Sequence, residues 1–345
     1  MGKFFKRFFL LLSIGTFVAS LYSVSKHWDY QQVLVDIGKQ LRLKISASDI
    51  DKEIRDAISR GEFDDARMYL AIAKNNHYPI DTGRYAEIIA QKDTPLTRFN
   101  KNAGEFAAGF VSGKSSSAAG IAGAVGADFT VIGDLRDLHH EYNNMQQGKD
   151  VNELIVALSG VGVGFTALTI GSMGSAAPAK SGVSLIKLAA KTRRLSSRFQ
   201  KQLLKLGRQV FDWKLFSRLL KEGKQSRSFT QTLKQIPRAA KQAYHPNAVE
   251  PLKVIAKQVN NVRKATSVSD TLHLLKYVET TDDLRRLEKV SLKYGTQTKG
   301  IMKLLGKGAL RTVRVLRKTA ELLWSLISSV LAGMFSLFFL FARRI

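Results

Sequence analysis

Two long stretches of this chain carry opposite charge balances. Residues 25–153 hold 16 Lys/Arg against 19 Asp/Glu, a net of −3, whereas residues 180–320 hold 33 against 8, a net of +25. The stretch between them, residues 154–179, has no charged side chain, and uncharged apolar runs also occupy residues 8–25 and 322–342. A chain with apolar segments at both ends and a charge step across a third reads as membrane-associated, with the step marking sidedness.

Composition sets the outer bounds. With 345 residues, 45% of them hydrophobic and 24% charged, the chain is long and apolar enough for two or three folded regions, and disorder throughout is excluded. The absence of Cys excludes structural disulfides, thiolate nucleophiles and Cys-ligated zinc. A formal charge of +26 attracts polyanions, either nucleic-acid phosphate or anionic lipid. A chain held in a membrane meets lipid first, and each Lys or Arg near such a surface contributes about 1 kcal/mol of attraction.

The terminal runs fit membrane helices. Lys3, Lys6 and Arg7 precede the first, and Trp28 and Tyr30 follow it at an interfacial position, which favours an uncleaved anchor over 1–25 rather than a signal peptide. The second, within 321–345, places Leu and Phe around its whole circumference and ends at Arg343 and Arg344. The middle segment is weaker, because residues 106–179 are rich in Gly, Ala and Ser and include Lys114 and Asp128. Gly109 with Gly113, and Gly120, Gly123 and Gly126, have the spacing that lets helices approach closely.

Positive flanks then select a topology. Lys3, Lys6 and Arg7 put the N-terminus in the cytoplasm, and Lys180, Lys187, Lys191, Arg193 and Arg194 put the far side of 154–179 there as well. The expectation is a multi-pass protein of a bacterial inner membrane with three crossings: an anchor at 1–25, a periplasmic helical region at 26–105, a membrane-associated region at 106–179 that crosses at 154–179, a cytoplasmic basic helical domain at 180–320, and a last helix at 321–345.

The aqueous regions read as helical, giving an all-α fold. Ser48 with Asp49 and Asp51 marks a helix start, Ile50, Ile54, Ala57 and Ile58 form its apolar face, and Gly61 breaks it. Phe63, Ala66, Tyr69, Leu70 and Ala73 repeat the helical spacing, so the two segments resemble one tetratricopeptide-type unit, a resemblance that implies a helical hairpin. Farther on, Pro237, Pro246 and Pro251 mark a break between helical groups, Thr281-Asp282-Asp283 opens another helix, and Gly295 ends it. The phrases running from Asp128 to Leu138 and from Ala176 to Lys187 resemble stretches of uncharacterised proteobacterial inner-membrane proteins, a resemblance that implies location and no activity.

Three clusters invite chemistry. Residues 108–115 satisfy a permissive phosphate-loop pattern in which Lys114 and Ser115 would meet phosphate and Mg²⁺, but the polar stretch before it is no buried strand, so the match is treated as accidental and no cofactor is implied. Asp134, Asp137, His140 and Glu141 are the one dense group of metal-ligand types, with Asp137, His140 and Glu141 sharing a helical face. A polar helix in which Asp134 caps the first turn and Arg136 and Asp137 pair with neighbours accounts for the same residues, and no metal or catalytic role is assigned. Lys303, Lys307, Arg311, Arg314 and Lys318 fall on one side of a helix leading into the last apolar run, opposite Met302, Leu305, Ala309, Val313, Leu316 and Ala320. That pattern predicts a basic amphipathic helix at anionic headgroups.

No residue set commits to a reaction. The sequence predicts a non-enzymatic membrane scaffold or adaptor whose basic domain binds anionic lipid or an acidic protein partner. A pore-forming, toxin-like protein using the Gly-rich hairpin and a membrane-tethered nucleic-acid binder are the alternatives.

Overall fold

The computed structural model describes residues 2–28, 30–95, 98, 131–171, 177–222, 229–316 and 320–341, and it is helical with one two-stranded ribbon. The chain forms two compact units, one from residues 1–35 with 311–345 and the other from residues 36–310.

The first unit is an antiparallel hairpin closed by the two ends of the chain. Helix α1 (Gly2–His27) leads into strand β1 (Tyr30–Leu34), and strand β2 (Thr312–Leu316) leads into the last helix, α16 (Ala320–Phe341). Tyr30 pairs with Leu316 and Leu34 with Thr312 in the ribbon, and the Val35 N–H donates to the Arg311 carbonyl at 3.2 Å. The same order continues along the helices: Ser23 Oγ lies 2.9 Å from Ser325 Oγ, and Gly333 faces the Phe17 ring. Both termini therefore lie at one end of the hairpin, and the chain leaves and re-enters it at the other. Several side chains of α1 and α16 lie outside the described set, and among the described residues no helix is long and apolar enough to cross a membrane.

The second unit begins with short helices set by local capping. Helix α2 (Ile37–Lys44) is capped by Asp36, and α3 (Ala47–Ser59) starts from Ser46, whose hydroxyl accepts the Asp49 N–H while the Asp49 carboxylate accepts the Ser46 N–H. The cap is thus Ser46 and not Ser48. Gly61, at φ +67°, turns the chain into α4 (Phe63–Asn75), and α3 packs on α4 as the expected hairpin. Helix α5 (Thr82–Lys92) follows, capped by Asp81.

The central group comprises α6 (Val131–Gln146), α7 (Glu153–Gly171), α8 (Ala177–Lys191) and α9 (Ser197–Val210). Helix α7 packs against the other three, so Leu154, Ile155, Val156, Ala157, Leu158 and Phe165 are buried by protein. Next come α10 (Trp213–Glu222) and α11 (Phe229–Ala243), which close a core of Phe211, Phe216, Leu220, Ile236 and Ala243 against Leu138 and Val156. Helices α12 (Glu250–Ala265), α13 (Val268–Leu274), α14 (Thr281–Tyr294) and α15 (Thr298–Leu305) complete the unit. Pro246 and Pro251 do mark a break, at a short 3₁₀ turn and the first turn of α12, but Pro237 lies inside α11. Thr280 and Asp283 form a capping box at the start of α14, and Gly295 ends it at φ +56°.

Two sequence expectations bear on this core. Within the segment 154–179, α7 ends at Gly171 and α8 begins at Ala177, residues 172–176 lie outside the described residues, and the apolar side chains of α7 from Leu154 to Phe165 are covered by neighbouring helices. A helix apolar on all sides needs an apolar surround, and a protein core supplies one as well as lipid does. The acidic and basic stretches also pack together within one unit. Lys299 Nζ lies 2.6 Å from Asp65, Lys303 Nζ lies 2.7 Å from Glu53, and the Gly300 N–H points at Met68 Sδ at 3.1 Å. Cations of the basic stretch thus meet carboxylates of the acidic one within one unit. Residues 101–130, which hold the first half of the Gly-rich hairpin, lie outside the described residues.

Candidate functional site

The most heavily charged buried site joins α6 to α8. Asp134 and Asp137 stand one turn apart on α6, while Lys180, Lys187 and Lys191 are spaced by two turns and then one on α8, so each set shares a helical face. The faces meet in a ladder. Lys187 Nζ lies 2.7 Å from both Asp134 and Asp137, Lys180 also pairs with Asp134, and Lys191 Nζ lies 2.8 Å from Asp137. Lys187 and Asp134 are fully buried, and Gly162 of α7 stands against the Asp134 carboxylate, where a side chain on α7 would displace it.

The environment divides the two acids. Burial outweighs Lys187 and Lys180 and pushes the Asp134 carboxyl above its ordinary value, whereas at Asp137 burial is outweighed by Lys187 and Lys191 and the carboxyl is held below it. Burial opposes the Lys187 charge, but the two carboxylates prevail and raise its pKa. The ammonium is consequently the fixed charge of the site. Such a ladder specifies the register of α6 on α8, since any slip would leave a charge in the core without its partner.

The metal-ligand grouping read from the sequence does not form. Asp134 and Asp137 face lysines, His140 is exposed, and Glu141 accepts the Asn152 N–H at 2.8 Å, which fastens α6 to the start of α7. Among the described residues no group of three His, Asp or Glu side chains is placed to hold a metal ion. Asp134 is not a cap either, although Arg136 does approach Asp137 at 3.7 Å. Lys180, Lys187 and Lys191, read from the sequence as a cytoplasmic flank, point into protein. The signal that identifies the ladder is a lone lysine, Lys187, within the apolar run from Val183 to Ala190.

The basic amphipathic helix expected at 303–318 is also overturned. Helix α15 ends at Leu305, Gly306 adopts φ +55°, residues 306–310 form a 3₁₀ turn, and Arg311 leads into β2. Two glycines within three residues remove the side-chain constraint that would hold a helix there, and Gly306 takes a conformation that ends one. Lys303 instead binds Glu53, Lys307 binds Glu279, Arg311 is exposed, and Arg314 stands in the ribbon opposite Gln32. Lys318 lies outside the described residues, as do residues 108–115 with Lys114 and Ser115.

A second titratable cluster went unread in the sequence. The Arg194 guanidinium donates to His273 Nδ1 at 2.9 Å, which requires a neutral imidazole with its proton on Nε2. Burial, then Lys276, Lys299 and Arg194, drives the His273 pKa down to about 4. Lys299 bridges Asp65 and Asp270 at 2.6 and 3.5 Å, tying α4, α13 and α15 together.

No protein-family model, curated protein or solved structure matches this chain.

Proposed function

We propose that this chain is a membrane-anchored helical scaffold or adaptor that acts by binding, held in the bilayer by its terminal hairpin. The observation that carries this reading is the outward apolar surface of the hairpin. Phe4, Leu11, Val18 and Tyr22 on α1 and Trp324, Val330, Met334 and Phe338 on α16 are all exposed even though the two helices pack on each other. In water each such side chain would forgo about 1.5–3 kcal/mol of burial, whereas lipid surrounds them without that loss.

The amino-acid sequence of the two helices, read over their whole length, supports the same placement. A helix of 22 residues rises about 33 Å, close to the hydrocarbon thickness of a bilayer, and α16 carries one charge, Glu321, at its start. In α1, Lys3, Lys6, Arg7 and Lys26 lie at the two ends and the 18 residues between carry none. Ser23, Ser325 and Ser329 hydrogen bond within the helix pair and need no lipid-facing partner. Two crossings follow, with Gly2 and Phe341 on one side and the ribbon of β1 and β2 on the other, in place of the three crossings read from charge.

Membrane fractions washed with alkaline carbonate test the anchor. The chain is expected to stay in the pellet and to enter solution only with detergent, and Val18→Lys combined with Val330→Lys should release it to the wash. Quantitative release of the parent chain by carbonate alone would refute the anchor.

A further inference from the structure

We infer that the outer faces of α9, α10 and α11 form a docking surface for anionic lipid headgroups, an inference that rests on the proposed lipid anchor. Residues 198–241 hold 12 Lys/Arg against two acids, Asp212 and Glu222. Six of the described ones stand on outer faces. On α9, Phe199, Leu203, Gly207 and Val210 are buried while Lys201 and Lys205 stand exposed on the other side. On α10, Phe216 and Leu220 enter the core while Lys214 and Arg218 face out, and on α11, Ala239 and Ala243 enter it while Arg238 and Lys241 face out.

None of these six cations has a carboxylate partner among the described residues, whereas Arg198 and Arg208 on α9 pair with Glu279 and Glu153. Lys257, Lys264, Lys289 and Lys293 on α12 and α14 are likewise exposed without a carboxylate partner among the described residues, so what sets α9–α11 apart is the excess of cations over acids along residues 198–241. The six on α9–α11 are left for an external anion. Exposed single-sign charge spread over three helices fits an extended surface of fixed negative charges better than one small ligand.

Two extended polyanions have that character, anionic lipid and nucleic acid. Lipid is the occupant favoured here, because an anchored chain is held beside headgroups at high effective concentration, so that even weak attraction per residue is sufficient. Attraction of this kind is screened over about 8–10 Å at physiological salt, and the docked state should be strongly salt-dependent.

The test uses the full chain reconstituted into nanodiscs of neutral phosphatidylcholine and mixed with heavy sedimenting vesicles. Cosedimentation is expected with vesicles containing phosphatidylglycerol, not with neutral vesicles, and should be reversed by raised salt. The quadruple variant Lys201→Glu, Lys205→Glu, Lys214→Glu, Arg218→Glu should bind at least about a hundredfold more weakly. A matched control, Lys257→Glu, Lys264→Glu, Lys289→Glu, Lys293→Glu, changes net charge equally on α12 and α14 and should keep most of the binding. Equal loss in both variants would show that net charge acts without a dedicated face and would overturn the inference, as would parent nanodiscs that ignore anionic vesicles. Duplex DNA that displaces the vesicles at a lower charge concentration than free anionic vesicles require would assign the face to nucleic acid instead. Failure of the chain to enter nanodiscs would count against the anchor and not against the face. Circular dichroism identical to the parent's confirms that each variant is folded.

Discussion

Lys187 on α8 and Asp134 on α6 meet at 2.7 Å in the interior although 53 residues separate them in sequence. Both are fully buried, so neither can recover hydration if the other is lost. Lys187→Met is therefore expected to destabilise the chain by about 3–5 kcal/mol, since it leaves Asp134 and Asp137 buried without their shared cation. Lys187→Leu combined with Asp134→Leu should recover most of that loss, because Asp137 retains Lys191. Thermal unfolding followed by helical circular dichroism in detergent measures both. Equal stability of the single variant and the parent would contradict the role given to the ladder.

His273 predicts an acid-side loss of stability. Its folded pKa, about 4, lies below the ordinary 6.5, so between these values the unfolded chain binds the extra proton. Stability from this group is present above pH 6.5 and is lost as pH falls through 4. Because the residue is only half-buried, the loss is expected to be on the order of 2 kcal/mol, less than the full shift would give. His273→Asn, which keeps an acceptor for Arg194, should flatten the stability profile between pH 6.5 and 4. An unchanged slope in that window would assign the acid sensitivity to other groups.

Lys187 and Lys299 predict the opposite limb. Carboxylates raise both pKa values against the effect of burial, so the stability they contribute is complete below the ordinary lysine value and is lost as pH rises through the raised one. The parent is expected to lose stability above about pH 10.5 more steeply than Lys299→Met, which has already lost the pair with Asp65. Identical alkaline melting curves would remove Lys299 from this account.

Helices α8 and α12 cross at Gly182, where an added Cβ would run into the Ala256 carbonyl. Backbone cannot step aside as the end of a side chain does, so Gly182→Ala should cost about 1–3 kcal/mol or more. Gly61→Ala, in open space but at φ +67°, gives a contrasting measurement of backbone strain without a clash. A neutral Gly182→Ala in chemical denaturation would show that the two helices separate freely.

Local signals were legible in the sequence and distant ones were not. The α3–α4 hairpin, Gly61 and the span from Thr281 to Gly295 follow from capping, helical spacing and glycine conformation, all decided within a few residues. Residues 154–165 were ambiguous because an all-apolar helix is satisfied equally by a core or by lipid, and the neighbours that decide it come from α6, α8 and α9. The segment 303–318 kept a helical charge pattern across Gly306 and Gly308, yet Gly306 ends the helix and the following residues pair with β1 at the far end of the sequence. Asp134 and Asp137 were visible as a cluster, but their partners, 46 to 54 residues away, were not.

The proposed hairpin crosses the membrane twice and is expected to leave residues 3 and 344 on one side and residues 52 and 257 on the other. The natural absence of Cys allows a direct measurement, in which single cysteines replace Lys3, Lys52, Lys257 and Arg344 and are labelled in intact membrane vesicles with an impermeant maleimide. Positions 3 and 344 should label together, and positions 52 and 257 should label together from the opposite side. Labelling of 52 and 257 from different sides, or of 3 and 344 from different sides, would contradict the hairpin.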